Sequence, residues 1–589
     1  MSEARQLEHF PNLVAMFLAR ARVKGDAPML WAKRDGQWRP TSWSEAARQV
    51  GALATSLKRI GLKPGDRVAL VSENRPEWLI ADLGIMAAGC VTVPTYTTNT
   101  TRDHTHVLGN SGARAVIVST QKLARNLVPA VMTSPDCHHL IELDDVRTGQ
   151  ASDEFDAHHW HDLVAGPSAI AVLEQMVAGI GRTDLACLIY TSGTGGAPRG
   201  VMQHHGAILH NCAGATDIIS TDFGWGDEVF LSFLPASHAY EHTGGQHFAV
   251  ALGAQIYYAE SLEKLAANIE EVQPTIMVVV PRLFELLRAR IMKMVEGGGA
   301  LSGFLMRQAL RIGKDRYEAR RKPWDLPLDG FLSVTLRRKI REKVGGRTKA
   351  WVSGGAPLNP EVGVFFQSLG ITFLQGYGQT EAAPLISCNR PRDGIRLDTV
   401  GHPLKGVEVR IAGDGEIMVR GENVMVGYWR NPEETERVIQ PSSDGHGPWL
   451  ATGDVGHFDD KGRIVITDRK KDLIVNDKGD NVSPQRIEGM LTLQPEIAQA
   501  MVYGDRRPHL VALLVPEADV ARDPELQKRL QQALDRVNPE VSVTEKVRRF
   551  VVTDQAFTIE NEMLTPSLKI RRHVITKAFG DKLDALYKR

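Results

Sequence analysis

The segment of the chain with the clearest chemical signature is residues 190–200, Tyr-Thr-Ser-Gly-Thr-Gly-Gly-Ala-Pro-Arg-Gly. Its glycines let backbone N–H groups approach an anion closely. Its Ser and Thr hydroxyls add donors, and the guanidinium of Arg199 is a planar, permanently charged group suited to phosphate. The apolar run from Leu185 to Ile189 predicts a buried strand that holds this loop. The segment therefore indicates a phosphate-binding loop, with an ordinary glycine-rich turn as the alternative.

Two familiar phosphate-loop patterns do not fit this segment. A Walker A loop requires Lys and then Ser or Thr after its second glycine, whereas Val201 and Met202 follow Gly200. A dinucleotide-binding fingerprint requires a third glycine at the position of Pro198. Both familiar patterns therefore fail, and the ordinary glycine-rich turn stays open as the alternative.

A second segment, Gly376-Tyr377-Gly378-Gln379-Thr380-Glu381, combines groups that could bind a nucleotide and a metal ion. An aromatic face can cover a purine, and a hydroxyl can donate to a phosphate oxygen. A carboxylate is the hard oxygen ligand that Mg²⁺ prefers, with substrate phosphates completing its shell. A lone Tyr or Glu is more often a packing or solvated residue, but the six residues together predict a nucleotide site.

Four single residues would complete such a site. Asp454 can accept hydrogen bonds from two sugar hydroxyls, with a turn residue as the alternative. Arg469 could contact the nucleotide, or it could be a surface ion-pair partner. Lys569 offers a compact charge beside a reacting phosphate, or it is one more exposed lysine in a basic tail. His238, after Leu-Pro-Ala-Ser, could position a substrate or serve a purely structural hydrogen bond.

Length, composition and charge exclude several classes of protein. A chain of 589 residues predicts two or more domains. A net charge of zero gives no field that favours nucleic acid. The five cysteines lie far apart without a C-x-x-C pair, which indicates reduced thiols in the cytoplasm and disfavours a zinc site. The N-terminus does not resemble a secretory signal, and no run of apolar residues predicts a membrane span.

The order of helix-like and strand-like segments predicts an α/β fold with parallel sheets. Residues 41–96 alternate between a helix at Trp43 to Ile60, a strand at Arg67 to Ser72, a helix at Glu77 to Ala88 and a strand at Val91 to Pro94. The pattern changes near residue 470. We predict a large N-terminal domain of layered α/β subdomains over residues 1–469, and a small mobile α+β C-terminal domain over residues 470–589.

Residues 307–347 are strongly basic, with 13 Lys or Arg against 5 Asp or Glu. They belong to an insertion that we place at residues 296–347. A basic amphipathic face that includes an aromatic residue could lie on anionic lipid. A solvated pair of helices is the more common alternative. Peripheral contact with the inner face of a membrane therefore stays open.

Taken together, the motifs resemble those of the adenylate-forming superfamily, which includes acyl-CoA synthetases, luciferases and peptide-synthetase adenylation domains. The family's loop reads Y-T-S-G-T-T-G-x-P-K-G, so this chain carries Gly195 for a Thr and Arg199 for the Lys. The resemblance extends from about Asn12 to the C-terminus, with the motifs in the family's order. The insertion and the segment Asn561 to Pro566 resemble long-chain fatty acyl-CoA synthetases, and the insertion disfavours luciferase.

This resemblance implies a role for each matching residue. The catalytic residues would be Lys569, Glu381, His238 and Thr380. Magnesium would be held by Glu381 and Thr194. The residues expected to bind nucleotide or coenzyme are Thr191, Ser192, Gly193, Thr194, Gly195, Gly196, Arg199, Gly355, Ala356, Pro357, Gln375, Gly376, Tyr377, Gly378, Asp454, Arg469 and Lys471.

The implied reaction has two halves. A fatty acid attacks the α-phosphorus of ATP to give an acyl-adenylate and pyrophosphate, and the thiol of coenzyme A then takes the acyl group. The C-terminal domain would rotate about a hinge at Lys471 between the halves, so Lys569 would serve only the first. The alternatives are an adenylating ligase for a medium-chain or aryl acid and a non-catalytic nucleotide-binding sensor. A kinase or ATPase is disfavoured because it would not release pyrophosphate and AMP.

Overall fold

The computed structural model describes residues 7–147, 154–191, 197–442, 444–477, 481–558, 560–565 and 570–588. The fold is α/β with parallel sheets and a separate, smaller C-terminal domain, which confirms the predicted fold class. The strands are β1 (Pro28–Arg34), β2 (Gln37–Ser42), β3 (Arg67–Val71), β4 (Val91–Pro94), β5 (Ala113–Val118), β6 (His139–Glu142), β7 (Asp156–His159), β8 (Leu185–Thr191), β9 (Arg199–His204), β10 (Val229–Ser232), β11 (Gln255–Tyr258), β12 (Ile276–Val279), β13 (Ala350–Ser353), β14 (Phe373–Gly378), β15 (Leu385–Cys388), β16 (His402–Pro403), β17 (Glu408–Ile411), β18 (Glu416–Arg420), β19 (Gly427–Tyr428), β20 (Ile439–Gln440), β21 (Trp449–Phe458), β22 (Ile464–Arg469), β23 (Ile474–Val475), β24 (Asn481–Val482), β25 (Ile497–Tyr503), β26 (Leu510–Pro516) and β27 (Val547–Val552).

The α-helices of the same ranges are α1 (Leu13–Lys24), α2 (Trp43–Arg59), α3 (Pro76–Ala87), α4 (Thr101–Ser111), α5 (Gln121–Met132), α6 (Trp160–Val164), α7 (Ile170–Val177), α8 (His205–Asp222), α9 (Ala239–Glu241), α10 (Phe248–Leu252), α11 (Leu265–Val272), α12 (Pro281–Gly297), α13 (Gly299–Tyr317), α14 (Leu326–Val334), α15 (Leu336–Lys343), α16 (Pro360–Ser368), α17 (Pro432–Val438), α18 (Pro484–Leu491), α19 (Leu526–Val537) and α20 (Arg572–Ala585). A π-helix, His242–His247, joins α9 to α10. Each predicted element between residues 41 and 96 is present, with its bounds shifted by a residue or less.

The larger sheet of the N-terminal region contains a parallel block of six strands in the order β14, β13, β12, β10, β11 and β1, with antiparallel strands at both edges. Its strands are short and apolar because helices cover them, as a parallel sheet requires. Strands β13 and β14 lie side by side, with Ser353 opposite Gln375. The turns after these two strands therefore emerge at the same edge.

A second large sheet carries the predicted phosphate loop at its antiparallel end. Parallel strands β7, β6, β5, β3, β4 and β8 lead to the antiparallel strands β9 and β19. A separate antiparallel sheet contains β21 and β22. These three sheets bring the ends of β8, β14 and β22 into one region.

The C-terminal unit has its own core. Strands β25, β26 and β27 form one sheet with α18, α19 and α20 against it, and their apolar side chains make two clusters of their own. The domain boundary at residue 470 stays a prediction. No helix within the ranges given above combines the length and the apolar composition needed to cross a lipid bilayer.

The basic insertion contains more structure than the predicted pair of helices. It begins in the last turn of α12 and continues through α13, α14 and α15. A small core that includes Ala309, Ile312 and Leu332 joins these helices. Helix α14 is short and has Pro327 in its first turn, where the fixed φ of proline is compatible with a helix.

Candidate functional site

The phosphate-loop prediction can be compared with the structure only at its two ends. Five of the predicted contacts, Ser192, Gly193, Thr194, Gly195 and Gly196, lie outside the described residues, and so does Lys569. Strand β8 ends at Thr191, which lies opposite Arg199, the first residue of β9. The apolar run before the loop is the predicted strand, with residues 186–190 buried.

Three of the predicted nucleotide-binding residues form a continuous hydrogen-bonded chain. Oη of Tyr377 donates to Oδ2 of Asp454 at 2.7 Å, and Nε of Arg469 donates to Oδ1 at 3.1 Å. Asp454 lies opposite Arg469 in the ladder between β21 and β22. Because a carboxylate accepts about four hydrogen bonds, Asp454 keeps capacity for two more. Two is the number that a ribose diol would donate.

Arg469 also interacts electrostatically with the carboxylate of Glu381. Burial alone would lower the pKa of Arg469, but the negative charges of Asp454 and Glu381 raise it above its usual value. For the Tyr377 hydroxyl, burial raises the pKa, and the negative charge of Asp454 raises it further. Arg469 therefore lies between two carboxylates and stays charged at any ordinary pH.

Glu381 is held by two contacts from the segment that leads into β19. Its Oε1 accepts a hydrogen bond from Oη of Tyr428 at 2.8 Å, and its backbone carbonyl accepts one from Met425 at 2.9 Å. The neighbouring carbonyl of Thr380 accepts from Nε2 of Gln203 at 2.7 Å. A half-buried carboxylate beside phosphate-binding residues suits Mg²⁺, which takes one or two carboxylates and completes its shell with substrate phosphates. The residues present therefore fit the ion that the resemblance implies.

Near Glu381, two guanidiniums share the carboxylate of Glu434. The guanidinium of Arg199 lies 4.8 Å from the centre of the Tyr428 ring and pairs with Oε1 of Glu434. The same carboxylate accepts from Arg437, whose Nε lies 2.7 Å from Oε2. Burial lowers the pKa of Lys471, and the nearby charges of Arg437, Arg199 and Arg469 lower it further. These four cations therefore face a common space, where an anion would find strong positive potential.

In the predicted adenine site, two backbone segments lie very close to each other at Gly378. At Gly378 a Cβ would lie 1.9 Å from the carbonyl oxygen of Pro384, so only glycine fits. Gln375 and Gly376 precede it in β14, with the Gln375 side chain buried. Gly355, Ala356 and Pro357 form the exposed turn after β13, and Gly355 has a φ of 81°.

His238 lies at the same sheet edge. Its Nδ1 accepts a hydrogen bond from the backbone N–H of Tyr240 at 3.2 Å and so caps α9. Oη of Tyr240 donates to the carbonyl of Val352 at 2.7 Å. A Cβ at Gly354 would lie 2.9 Å from the Tyr240 ring. The segment that carries His238 therefore rests against the end of β13, beside the turn of Gly355.

Comparison with known families decides what this arrangement belongs to. The sequence profile described as AMP-binding enzyme matches residues 17–429, and that of the AMP-binding enzyme C-terminal domain matches residues 471–589. The chain belongs to the AMP-binding enzyme family. This family assignment confirms the resemblance to the adenylate-forming superfamily.

Similar proteins of this family cover nearly the whole chain. The long-chain-fatty-acid–CoA ligase FadD15 of Mycobacterium tuberculosis is 32% identical over 602 residues, which cover 98% of this chain and 97% of that protein. The chloroplastic long-chain-fatty-acid–[acyl-carrier-protein] ligase AEE15 of Arabidopsis thaliana is 27% identical, with 99% and 91% covered. Among solved structures, the A domain of carboxylic acid reductase from Segniliparus rugosus, in complex with AMP and a co-purified carboxylic acid, has a TM-score of 0.78 at 21% identity. It covers 100% of this chain and 96% of that one.

A buried polar cluster that no sequence motif indicated lies behind His238. Nε2 of His242 and Nε2 of His247 lie 3.2 Å and 2.9 Å from Oδ2 of Asp82. Burial alone would raise the pKa of Asp82, but the charge of His242 and the hydrogen bonds of both rings hold it well below its usual range. The cluster fastens the π-helix that follows Glu241 to α3. The three side chains could ligate a metal ion, and their two hydrogen bonds leave Oδ1 of Asp82 and Nδ1 of both histidines without a partner among the described residues.

Sequence reasoning missed Tyr428, Glu434 and Arg437. Each of them contacts a predicted site residue, or a residue that does so. They lie within one short segment, Gly427 to Val438, in which Asn431 caps α17 and Pro432 follows at its first position. The available signal was a capped helix after a turn that contains glycine. This pattern does not predict the strand with which the segment pairs.

Proposed function

We propose that the protein is a long-chain fatty acid–CoA ligase. It would join a fatty acid to the α-phosphorus of ATP, release pyrophosphate, and then transfer the acyl group to coenzyme A with release of AMP. The observation that carries this proposal is the hydrogen-bonded chain from Tyr377 through Asp454 to Arg469, whose charge also interacts with that of Glu381. The fatty acid is proposed from FadD15, a relative at 32% identity over almost the whole chain.

The first half-reaction requires no general base. A carboxylic acid with a pKa of about 4–5 is already ionised at neutral pH. The obstacle is the repulsion between that carboxylate and the triphosphate. Catalysis is therefore positioning and charge neutralisation, and preorganised cations are the groups that can supply both.

The nucleoside is proposed to bind along the hydrogen-bonded chain. Asp454 accepts the two ribose hydroxyls with its remaining lone pairs, while Tyr377 and Arg469 keep the carboxylate in one orientation. The adenine ring lies against Tyr377 and against the glycine-rich turn at Gly355. Thr380 donates to the α-phosphate from its turn beside Glu381.

The terminal phosphates are proposed to enter the space between the cations Arg199, Arg437 and Lys471. Glu434 holds two of these guanidiniums before the substrate arrives, so their side-chain entropy is largely lost in advance. As pyrophosphate forms, the charge that accumulates on it is stabilised by groups already in position. Thr191 and residues 192–196 would add hydroxyl and backbone N–H donors to the same phosphates.

Magnesium, when bound at Glu381 with Thr194 as a further ligand, supplies additional neutralisation of phosphate charge. Lys569 is proposed to bring its ammonium to the reacting carboxylate and α-phosphate. It would leave for the second half-reaction as the C-terminal domain turns about Lys471. His238 is proposed to position the acid, because it lies at the edge of β13 beside the proposed nucleotide site.

A second candidate, an adenylating ligase for another carboxylic acid, is favoured by one specific observation. The domain that shares this fold in carboxylic acid reductase is in complex with AMP and a co-purified carboxylic acid, so the fold is not confined to fatty acid–CoA ligases. Purified enzyme should therefore be incubated with ATP, Mg²⁺, coenzyme A and a series of fatty acids of rising chain length, with benzoate as the aryl control. The proposal expects AMP and thioester in equal amounts, at rates that rise toward long chains. Preference for benzoate would contradict it, and nucleotide binding without AMP formation would favour a sensor.

A further inference from the structure

Large apolar side chains are exposed in one part of this protein far more than elsewhere. Of the sixteen such side chains that the described residues expose, eight lie between residues 286 and 334. They are Leu286, Met294, Leu301, Phe304, Trp324, Leu326, Phe331 and Val334. Scattered apolar residues on a surface need no explanation, but a concentration of them marks an interaction site.

Some helices of this region expose apolar side chains in addition to the apolar side that they bury. On α14, Leu328 and Leu332 contact α13 and α15, whereas Leu326, Phe331 and Val334 lie on the opposite side and are about half exposed or more. Trp324, just before this helix, is 74% exposed. The core of the helical layer is therefore complete without these side chains, and they remain available to a partner.

Cations surround this apolar surface, and the nearby acids are already neutralised. Between residues 307 and 347, 13 Lys or Arg stand against 5 Asp or Glu. Two of those acids are buried: Asp325 pairs with Arg311 at 2.7 Å, and Asp329 pairs with Arg337 at 2.6 Å. Because each of these acids is paired with a cation, the excess of 13 Lys or Arg over 5 Asp or Glu is unchanged by the pairing.

The cations flank the apolar side chains closely. Nζ of Lys322 lies 6.0 Å from the centre of the Trp324 ring. On α13, Phe304 is followed on the exposed side by Arg307 and Lys314, one and nearly three turns later. Aromatic and aliphatic side chains at the acyl boundary, with Lys and Arg at the level of the headgroups, match a negatively charged bilayer.

From this arrangement we infer that the exposed face of α12, α13, α14 and α15 is a docking surface for an anionic lipid bilayer. The apolar side chains enter the interface and the surrounding cations bind lipid phosphates and carboxylates. Neither feature alone would be sufficient, because single weak anchors bind reversibly and stable attachment requires two.

The surface is connected to the proposed active site by α12. This helix begins at Pro281, directly after Val280, whose Cγ1 would lie 3.9 Å from a Cβ at Gly355. Its buried side, which includes Phe284 and Ile291, packs into the core beneath β13 and β14. A bilayer bound at this surface therefore lies at the outer end of an element whose inner end contacts the turn after β13.

The test is co-sedimentation of the full-length protein with vesicles, without ATP, acid or coenzyme A. Vesicles of phosphatidylcholine mixed with phosphatidylserine are compared with vesicles of phosphatidylcholine alone at ~0.1 M salt. We expect binding to the mixed vesicles and its loss at ~1 M salt. Removing three cations with Arg307→Gln, Lys322→Gln and Lys339→Gln should weaken binding about 100-fold, since each basic residue near such a surface contributes about fivefold.

An apolar variant, Trp324→Ala with Phe331→Ala, should weaken binding by about tenfold or more. Matched controls are Arg102→Gln, Lys122→Gln and Arg125→Gln for charge, and Leu262→Ala with Val543→Ala for exposed apolar area. Both controls should bind as the parent does, and all variants should keep the parent's melting temperature. Absence of binding to mixed vesicles, or equal binding by all variants, overturns the inference. A dimer that the apolar variant dissociates, without vesicle binding, overturns it in favour of a second copy of this chain. Because no reaction is measured, either result leaves the proposed activity to its own test.

Discussion

The hydroxyl of Tyr377 donates to Oδ2 of Asp454 at 2.7 Å. This hydrogen bond joins two sheets, although the two residues are 77 positions apart in the chain. Both side chains are buried, so the hydrogen bond is protected from water. The other carboxylate oxygen accepts from Arg469. An aromatic ring, a carboxylate and a guanidinium are thereby fixed relative to one another before any nucleotide arrives.

This relationship predicts the effect of Tyr377→Phe. The ring remains, but Asp454 loses one of its two orienting donors, which is worth about 1–1.5 kcal/mol. We expect the KM for ATP to rise about 5–10-fold, with little change in the KM for coenzyme A. Steady-state kinetics of AMP release measure both. Tyr503→Phe, which removes a hydroxyl bonded to Asp584 in the C-terminal unit, is the matched control. An unchanged KM for ATP would show that this hydroxyl does not support the nucleotide site.

The cation group predicts that Arg437 acts on pyrophosphate. Arg437→Gln should slow acyl-adenylate formation by about 10–100-fold and weaken inhibition by pyrophosphate. The same variant should convert a supplied acyl-adenylate and coenzyme A to thioester at the parent's rate, since that step contains no pyrophosphate. Rapid-quench assays separate the two half-reactions.

Two further variants distinguish charge from fold. Arg437→Lys should recover part of the loss, because a charge is restored without the fork that matches phosphate. Glu436→Gln, an exposed change on the same helix, should behave as the parent. An equal loss in both half-reactions would mean that Arg437 supports structure alone.

Sequence reasoning reached the motif residues because each motif holds its chemistry within a few adjacent positions. Tyr377, Glu381, Asp454 and Arg469 were named in this way, and the structure brings them into one network. It did not reach Arg437, whose place depends on the antiparallel pairing of β19 with β9. Nor did it reach the contact of Asp82 with His247, which spans 165 positions. Long-range register is not written in any local pattern.

The same contrast between local and long-range features applies to the prediction of the fold. Periodicity predicted α2 nearly to the residue, because its buried side and its Ser42 cap are local features. Helix α3 is buried almost all round, and Pro76 in its first turn marked its start. For the basic segment, the sequence left a lipid-binding face and a solvated pair of helices as alternatives, and helix α14 buries one side and exposes apolar residues on the other. A helix with that pattern does not show the usual polar outer face.

The buried Glu241 predicts a pH-dependent contribution to stability. Burial raises the pKa of Glu241 to about 7 from an ordinary 4.5, although hydrogen bonds from Ser232 and Gln246 oppose the shift. Between those values the unfolded chain has lost a proton that the folded chain retains, so the free energy of unfolding falls as the pH rises. Above about pH 7 the loss is complete.

Glu241→Gln should remove this dependence. The difference in unfolding free energy between variant and parent should shift by up to ~3 kcal/mol in favour of the variant from about pH 5 to about pH 8. Urea unfolding at the two pH values measures it. The exposed Glu436→Gln should give the same difference at both. A constant difference for Glu241→Gln would mean that this carboxyl does not titrate in the window.

The assignment of Lys569 predicts a one-sided defect. Lys569→Ala should slow acyl-adenylate formation by about 10²–10³, because one preorganised charge at the reacting phosphate is removed. Thioester formation from a supplied acyl-adenylate should continue. Lys577→Ala, an exposed lysine of α20, is the control for loss of a charge. Acyl-adenylate formation at the parent's rate would identify another residue as the catalytic cation.

The central claim is that an acid displaces pyrophosphate from ATP at this site. Exchange of labelled pyrophosphate into ATP tests it most directly, since the label returns only through reversal of the first half-reaction. We expect exchange that requires Mg²⁺ and a long-chain fatty acid and proceeds without coenzyme A. The exchange should fall sharply in Lys569→Ala and Arg437→Gln. If neither benzoate nor any of the fatty acids supports exchange by the folded enzyme, the proposed reaction is contradicted.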